Sequence, residues 1–204
     1  MNGFELLGVE LEAGIGHEVP DDIEELIGQA ESRQQQLVGE PGSTRVPGFV
    51  GSNYRVVYQA LRRLAEQRLA AGPLFCEWGS GMGIVTCLAS RLGFDALGIE
   101  IEPRLVEGAR RFAAEFAPAA RFVEGSYQPD GLFTETVDAS RLDEKLGFSP
   151  TAFDLIYVYP WPAEERAALR LFDDYGRERS LLLSFHGATR MRLRQRSASP
   201  HRNN

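Results

Sequence analysis

Glu77 stands two residues ahead of three glycines at alternate positions, Gly79, Gly81 and Gly83, in the stretch Phe75-Cys76-Glu77-Trp78-Gly79-Ser80-Gly81-Met82-Gly83. Side chains at those three positions would keep a ligand off the backbone, and glycine also accepts the positive φ that a tight turn needs. Ile84 to Leu92 reads as a helix stopped by Gly93. Its free N–H groups point back at the loop, where they can bind ligand oxygens. The dinucleotide fingerprint G-x-G-x-x-G would need its third glycine at position 84, which is Ile84. A carboxylate just before such a loop suits a ligand with an amino group better than a pyrophosphate.

Further chemistry-bearing residues end other apolar runs. Glu100 closes Phe94 to Glu100, and an acid at the tip of a second strand can accept hydrogen bonds from two ribose hydroxyls. Glu102, just before Pro103, suits the cap of the next helix. Tyr159-Pro160-Trp161-Pro162 ends the most apolar run of the chain. It reads either as a rigid proline turn or as an aromatic wall of a cleft. His186 follows Leu181 to Phe185, and its near-neutral pKa suits a general base. A loop histidine without a catalytic role is the other reading.

These residues need a sheet that brings strand ends together. Leu74 to Trp78, Phe94 to Glu100, Arg121 to Val123, Phe153 to Tyr159 and Leu181 to Phe185 read as five strands. Helices are expected between them: Ile84 to Leu92, Pro103 to Phe116 with Leu105, Ala109, Phe112 and Phe116 on one face, and Ala163 to Tyr175. A further helix, capped by Ser52 and running to about Ala71, precedes the first strand. Strands alternating with helices predict a largely parallel α/β sheet with its cleft at the carboxyl ends of the strands.

Glu77 to Gly83 and Gly98-Ile99-Glu100-Ile101-Glu102-Pro103 together resemble the signature of class I S-adenosylmethionine-dependent methyltransferases. The resemblance covers about residues 52–186. It implies a Rossmann-like three-layer sandwich, C-terminally shortened, because that fold normally adds a helix and two strands after the fifth strand. It implies S-adenosyl-L-methionine as cofactor, with Glu77, Gly79, Ser80, Gly81 and Gly83 around its methionine end and Glu100 and Ile101 around its ribose. Ser126 stands where the family often has an acid for the adenine, and Tyr127 would pack on the ring. The helix before the first strand often borders the cofactor, which would bring Tyr54 to it. The implied activity is direct displacement, in which an acceptor nucleophile attacks the sulfonium methyl without a metal, with Tyr159 and His186 as the candidate proton acceptors. Tyr159-Pro160-Trp161-Pro162 departs from the Asn/Asp/Ser-Pro-Pro-aromatic motif of amino-group methyltransferases, so the acceptor stays open. Two alternatives stand beside this activity. One is a non-catalytic S-adenosylmethionine-binding domain. The other, a nicotinamide-dependent oxidoreductase, is opposed by Ile84.

Composition bounds the rest. The 204 residues predict one sheet domain at 52–186 with an acidic N-terminal extension at 1–51 and a basic C-terminal tail at 187–204. Residues 1–40 carry ten acids against Arg33 alone, and 187–204 carry five arginines and no acid. The extension is expected to be a solvated arm, partly packed on the domain, with a short helix at 21–27. Arg190 to Arg196 alternates with period 2 and reads as an edge strand, or else as a tail for nucleic acid or an acidic partner. The net charge of −7 opposes a nucleic-acid platform over the whole surface. Two cysteines, no metal-ligand spacing, no secretory leader and no membrane-length apolar run predict a reduced cytoplasmic protein without a membrane partner. An uncovered fifth strand would favour pairing with a second copy.

Overall fold

The computed structural model describes residues 18–39, 51–128 and 147–196. Residues 1–17 and 40–50 of the extension, residues 129–146 and the last eight residues of the basic tail lie outside the described residues. Strands β1 (Leu74–Trp78), β2 (Asp95–Glu100), β3 (Arg121–Glu124), β4 (Leu155–Val158), β5 (Leu181–Phe185) and β6 (Met191–Gln195) form one sheet in the order β3-β2-β1-β4-β5-β6. The first five are parallel and β6 is antiparallel to β5. This is the Rossmann-like α/β architecture expected. Strand β1 lies between β2 and β4, with Glu77 opposite Gly98 on one side and Tyr157 on the other. The strand order therefore reverses beside β1, and the crevice that such a reversal opens falls at the glycine loop.

The two faces of the sheet bury different helices. Phe75, Ala96, Phe122, Leu155, Tyr157 and Leu183 share one core with α1 (Asp21–Gly39), α2 (Tyr54–Glu66), α3 (Ile84–Arg91) and α4 (Pro103–Phe116). Cys76, Trp78, Ile99, Ile156 and Leu182 share the other with α5 (Glu165–Tyr175). Such side-to-side alternation along each strand is what a sheet covered on both faces requires. Asp154, buried just before β4, accepts from the Leu74 N–H at 3.1 Å and pairs with Arg177 at 2.9 Å, which ties the start of β1 to its neighbour.

Three expectations change. The described part of the extension packs on the domain more fully than a partly packed arm with a short helix at 21–27 would. Its helix α1 has 19 residues and buries Ile23, Leu26, Ile27 and Ala30 in the first core. Ion pairs join it to three other helices: Arg55 of α2 to Glu24 and Glu31, Arg91 of α3 to Asp22, and Arg33 to Glu115 of α4. Secondly, α2 is capped by Asn53, whose side chain accepts from the Val56 N–H, and it ends at Glu66. The Ser52 hydroxyl instead meets the Tyr157 hydroxyl at 2.7 Å. Thirdly, the sheet continues past residue 186. Of the two readings of the arginine-rich segment, the edge strand is the one found, because Met191 and Leu193 face the core while Arg192 faces solvent.

Candidate active site

A cavity of about 500 Å³ opens at the carboxyl ends of β1, β2 and β4. This is within the size of small-molecule sites. Its floor is the glycine loop, with Glu77 and Glu100 on its two sides.

Glu77 is 5% exposed and accepts two hydrogen bonds on one oxygen, from the Thr86 N–H at 2.8 Å and the Thr86 hydroxyl at 2.6 Å. Thr86 lies in the first turn of α3, whose own cap, Gly83, has no side chain to give. Glu77 therefore caps α3 from the preceding strand, with an acceptor oxygen at the positive end of that helix. Burial dominates nonetheless and pushes the Glu77 carboxyl up to about 8, against the pull of Thr86 and with a push from Glu100.

Glu100 is 8% exposed and uses both oxygens. One accepts from the Gly81 N–H at 2.8 Å, the other from the Glu102 N–H at 2.9 Å. It thus ties the glycine loop of β1 to the end of β2. Gly79 and Ser80 tie it again by donating to the Ile99 carbonyl, each at 2.9 Å. Each Glu100 oxygen retains lone-pair capacity for a ligand hydroxyl.

Of the residues read from the sequence as cofactor ligands, Glu77, Gly79, Ser80, Gly81, Glu100, Ile101, Ser126 and Tyr127 line this cavity. Ile101 is 70% exposed at its rim. The Ser126 hydroxyl is bound to the backbone of Gln128, accepting from its N–H and donating to its carbonyl. Tyr127 stacks on Trp78, with ring centres 5.1 Å apart and planes 8° apart, and reaches over Gly79. Burial pushes the Tyr127 phenol up to about 12, with the charges of Glu164 and Glu100 adding to it and the Gln128 hydrogen bond opposing.

Gly83 is not a lining residue. It takes φ +75° at the start of α3, and a Cβ there would sit 2.3 Å from Phe122 and 2.8 Å from Ala109. Its glycine serves the close packing of loop, α4 and β3. His186 is also misplaced by the sequence reading. The backbone turns into the β5–β6 hairpin at this point, with the His186 N–H on the Arg190 carbonyl. Ser184 and His186 share the face of the sheet that carries α5. There the His186 Nε2 meets the Ser184 hydroxyl at 2.9 Å and Nδ1 lies 3.6 Å from Glu165. It does not line the cavity. Burial lowers its pKa, although Glu165 opposes this.

Tyr159 does line the cavity, edge-on to Phe185 at 4.9 Å. Trp161 beside it is 47% exposed. Tyr54 is buried in the cavity wall and donates to Gln34 of α1 at 3.0 Å. Burial, then the nearby charges of Glu77 and Glu31, push its phenol far above the ordinary value.

The sequence reading missed Trp78, Gln128 and Glu164 in the lining and Thr86 behind Glu77. Threonine in the first turn of a helix after an acid-tipped strand was a usable signal. Glu164 gave none, because its place depends on how the Pro160–Pro162 segment turns.

No family model matches the chain. The chain is similar to two ribosomal protein L11 methyltransferases. It is 32% identical to that of Thermus thermophilus over 98 residues, which is 48% of this chain and 37% of the relative. It is 39% identical to that of Cupriavidus pinatubonensis over 69 residues, 30% of this chain and 23% of the relative. The matches therefore span well under half the length of these relatives. Among solved structures, an RNA methyltransferase from Salinibacter ruber in complex with S-adenosyl-L-homocysteine aligns with a TM-score of 0.53 at 19% identity, over 76% of this chain and 98% of that one. A methyltransferase from Podospora anserina bound to the same ligand aligns with a TM-score of 0.55 at 15% identity, over 83% and 63%. The fold is that of the class I methyltransferases.

Proposed function

We propose that this chain, which has the class I methyltransferase fold, binds S-adenosyl-L-methionine in the 500 Å³ cavity and transfers its methyl group to an acceptor that enters past Tyr159 and Trp161. One observation carries the reading: Glu77 and Glu100 flank a single glycine loop at the point where the strand order reverses.

Each residue has a task that its surroundings support. Glu77 faces the ligand's amino group, an ion pair that recovers the cost of burying the carboxylate. The N–H groups at the start of α3 face the ligand's carboxylate. Glu100 accepts from the ribose hydroxyls while it keeps hold of Gly81. Ile101, with its side chain bare at the rim, gives the purine an apolar face. Tyr127 bounds the same end of the cavity, and the polar edge of the purine meets backbone beside Ser126, whose hydroxyl is already engaged.

When bound, the cofactor supplies an electrophilic methyl on a sulfonium. The protein's part is alignment and exclusion of water. Tyr159 and Trp161 wall the acceptor's approach, and Tyr159 holds the acceptor's polar atom or takes its proton. His186 has no part in this scheme. Among the described residues no helix is long and apolar enough to cross a membrane. The two cysteines are free and buried, which suits a reducing compartment such as the cytoplasm.

Calorimetric titration with S-adenosylmethionine, S-adenosylhomocysteine and NAD tests the reading. Micromolar binding of the sulfur ligands and not of NAD is expected, weakened at least tenfold in Glu100→Ala. Absence of binding by both sulfur ligands ends the methyltransferase reading. Binding without methyl transfer to any acceptor would leave a cofactor-binding domain.

A further inference from the structure

Helix α1 stands apart from the cavity: among the described residues, none of its side chains lines it. The helix nevertheless reaches the lining at one point. Glu24, Ile27, Glu31 and Gln34 recur at helical spacing and form one stripe along α1. Ile27 is buried in the first core, and Glu24 and Glu31 hold Arg55 at 2.7 and 2.8 Å. Gln34 meets the residue before Arg55, its Oε1 accepting from the Tyr54 hydroxyl at 3.0 Å. The same Gln34 amide fills the space beside Gly51, where a Cβ would collide with it. Gly51 and Tyr54 both line the cavity.

The direction of that hydrogen bond fixes what Tyr54 can offer a ligand. A phenol has one proton. Gln34 takes it, so the Tyr54 oxygen has only lone pairs left. Burial, with the charge of Glu77 adding to it, keeps the phenol protonated. Toward anything else it meets, the Tyr54 oxygen is therefore an acceptor. Without the Gln34 oxygen the hydroxyl would be free to turn its proton to the cavity. Glu77 lines the same cavity and is an acceptor as well. Two acceptors together suit an ammonium group and oppose a carboxylate.

We propose that Gln34 is a positioning residue of this site: by accepting the Tyr54 proton, it holds the phenol oxygen as a second acceptor, with Glu77, for the ammonium group of the ligand. This rests on the methyltransferase reading above. Gln34 itself does not touch the ligand and acts only through Tyr54. Helix α1 thereby becomes part of the binding site. Docking of α1 and binding of the ligand's amino-acid end favour each other, and by the same factor in both directions.

The test is calorimetric binding to the full chain with two ligands. One is S-adenosylhomocysteine. The other is 5′-methylthioadenosine, which has the nucleoside and the thioether but no ammonium group. Gln34→Met keeps the length of the side chain and removes the acceptor. It should weaken S-adenosylhomocysteine by about three- to tenfold, the worth of one hydrogen bond, and leave 5′-methylthioadenosine within twofold. Gln34→Glu restores an acceptor oxygen and should recover most of the affinity. In a Tyr54→Phe background, Gln34→Met should have no further effect, because no hydroxyl remains to be held. Should Gln34→Met not fold, Tyr54→Phe alone carries the comparison and should weaken S-adenosylhomocysteine and spare 5′-methylthioadenosine. The proposal is overturned if the variant that folds weakens both ligands alike, which is a general loosening of the site, or weakens neither. It is also overturned if the effect of Gln34→Met persists in Tyr54→Phe. Each of these outcomes leaves S-adenosylhomocysteine bound to the wild type and the methyltransferase reading intact. Failure of the wild type to bind it would overturn that reading and the role of Gln34 with it.

Discussion

Glu77 is asked to be a helix cap, a buried acid and a ligand contact together, and its proton shows the tension. Its carboxyl is held up at about 8 by burial, against an unfolded value near 4.5. Between those two values the folded chain binds a proton that the unfolded chain releases. Its contribution to stability is therefore complete below about pH 4.5 and is lost as pH rises through about 8. Glu77→Gln has no such window. The stability of the wild type relative to Glu77→Gln should fall by a few kcal/mol between pH 4.5 and 8 and stay level above it. Urea unfolding of both proteins across that range measures this. A ligand amino group seated at Glu77 needs the carboxylate form, so binding near pH 7 should expel a proton. Calorimetry in buffers of different ionisation enthalpy would detect it, and Glu77→Gln should lose both the proton and most of the affinity. Gly98 is the other sensitive position: a Cβ there would stand 2.7 Å from the Ser80 hydroxyl and 2.8 Å from Phe122. Overpacking of this kind costs about 1–3 kcal/mol. Gly98→Ala should lower the unfolding free energy measured in urea by that much and weaken S-adenosylhomocysteine, because Ser80 belongs to the loop that Glu100 holds.

At the scale of elements, α1 decides whether the N-terminal region is an arm or a part of the domain. Ile27 is fully buried within the core that α2 and α3 share. Ile27→Ala should cost about 2–5 kcal/mol, as large-to-small core changes do. A solvated helix would lose almost nothing, so one denaturant curve separates the two. The helix was partly legible. Ile23, Leu26, Ile27 and Ala30 recur at helical spacing, but Gly28 and the run Gln34-Gln35-Gln36 hide its length. The strands and the loop were easier to read because their signals are local: an apolar run, an acid, alternate glycines, a helix. Glu77 and Glu100 follow directly from that grammar. His186 does not, because a residue just past a strand lies on the ligand edge only if the chain continues outward. Here it folds back into a hairpin, and the alternation along β5 sends His186 to the α5 face. Glu164 and Trp161 share the difficulty, since two prolines fix where they point and no periodicity describes a proline turn.

For the whole molecule the question is how the sheet ends. Strand β5 is buried at every position, and β6 covers its open side. Met191 and Leu193 add two buried side chains to the first core, and Arg192 stands exposed on the outer strand. The arginines of β6 make its free edge a poor template for another strand, since two copies would oppose like charges. A chain cut after His186 loses that protection and exposes the edge of β5, a wholly apolar strand but for Ser184. It also loses the burial of Met191 and Leu193, about 3–6 kcal/mol together. The truncated protein should therefore unfold at lower urea and associate in sedimentation velocity at concentrations where the full chain shows no strand-edge association. Adding Arg192→Val to the full chain removes one charge from the edge without opening β5, and should produce weak association with little loss of stability. If the truncated chain were as stable as the full one and no more associated, β6 would contribute nothing to the sheet, and its arginines would have to be explained by a partner instead.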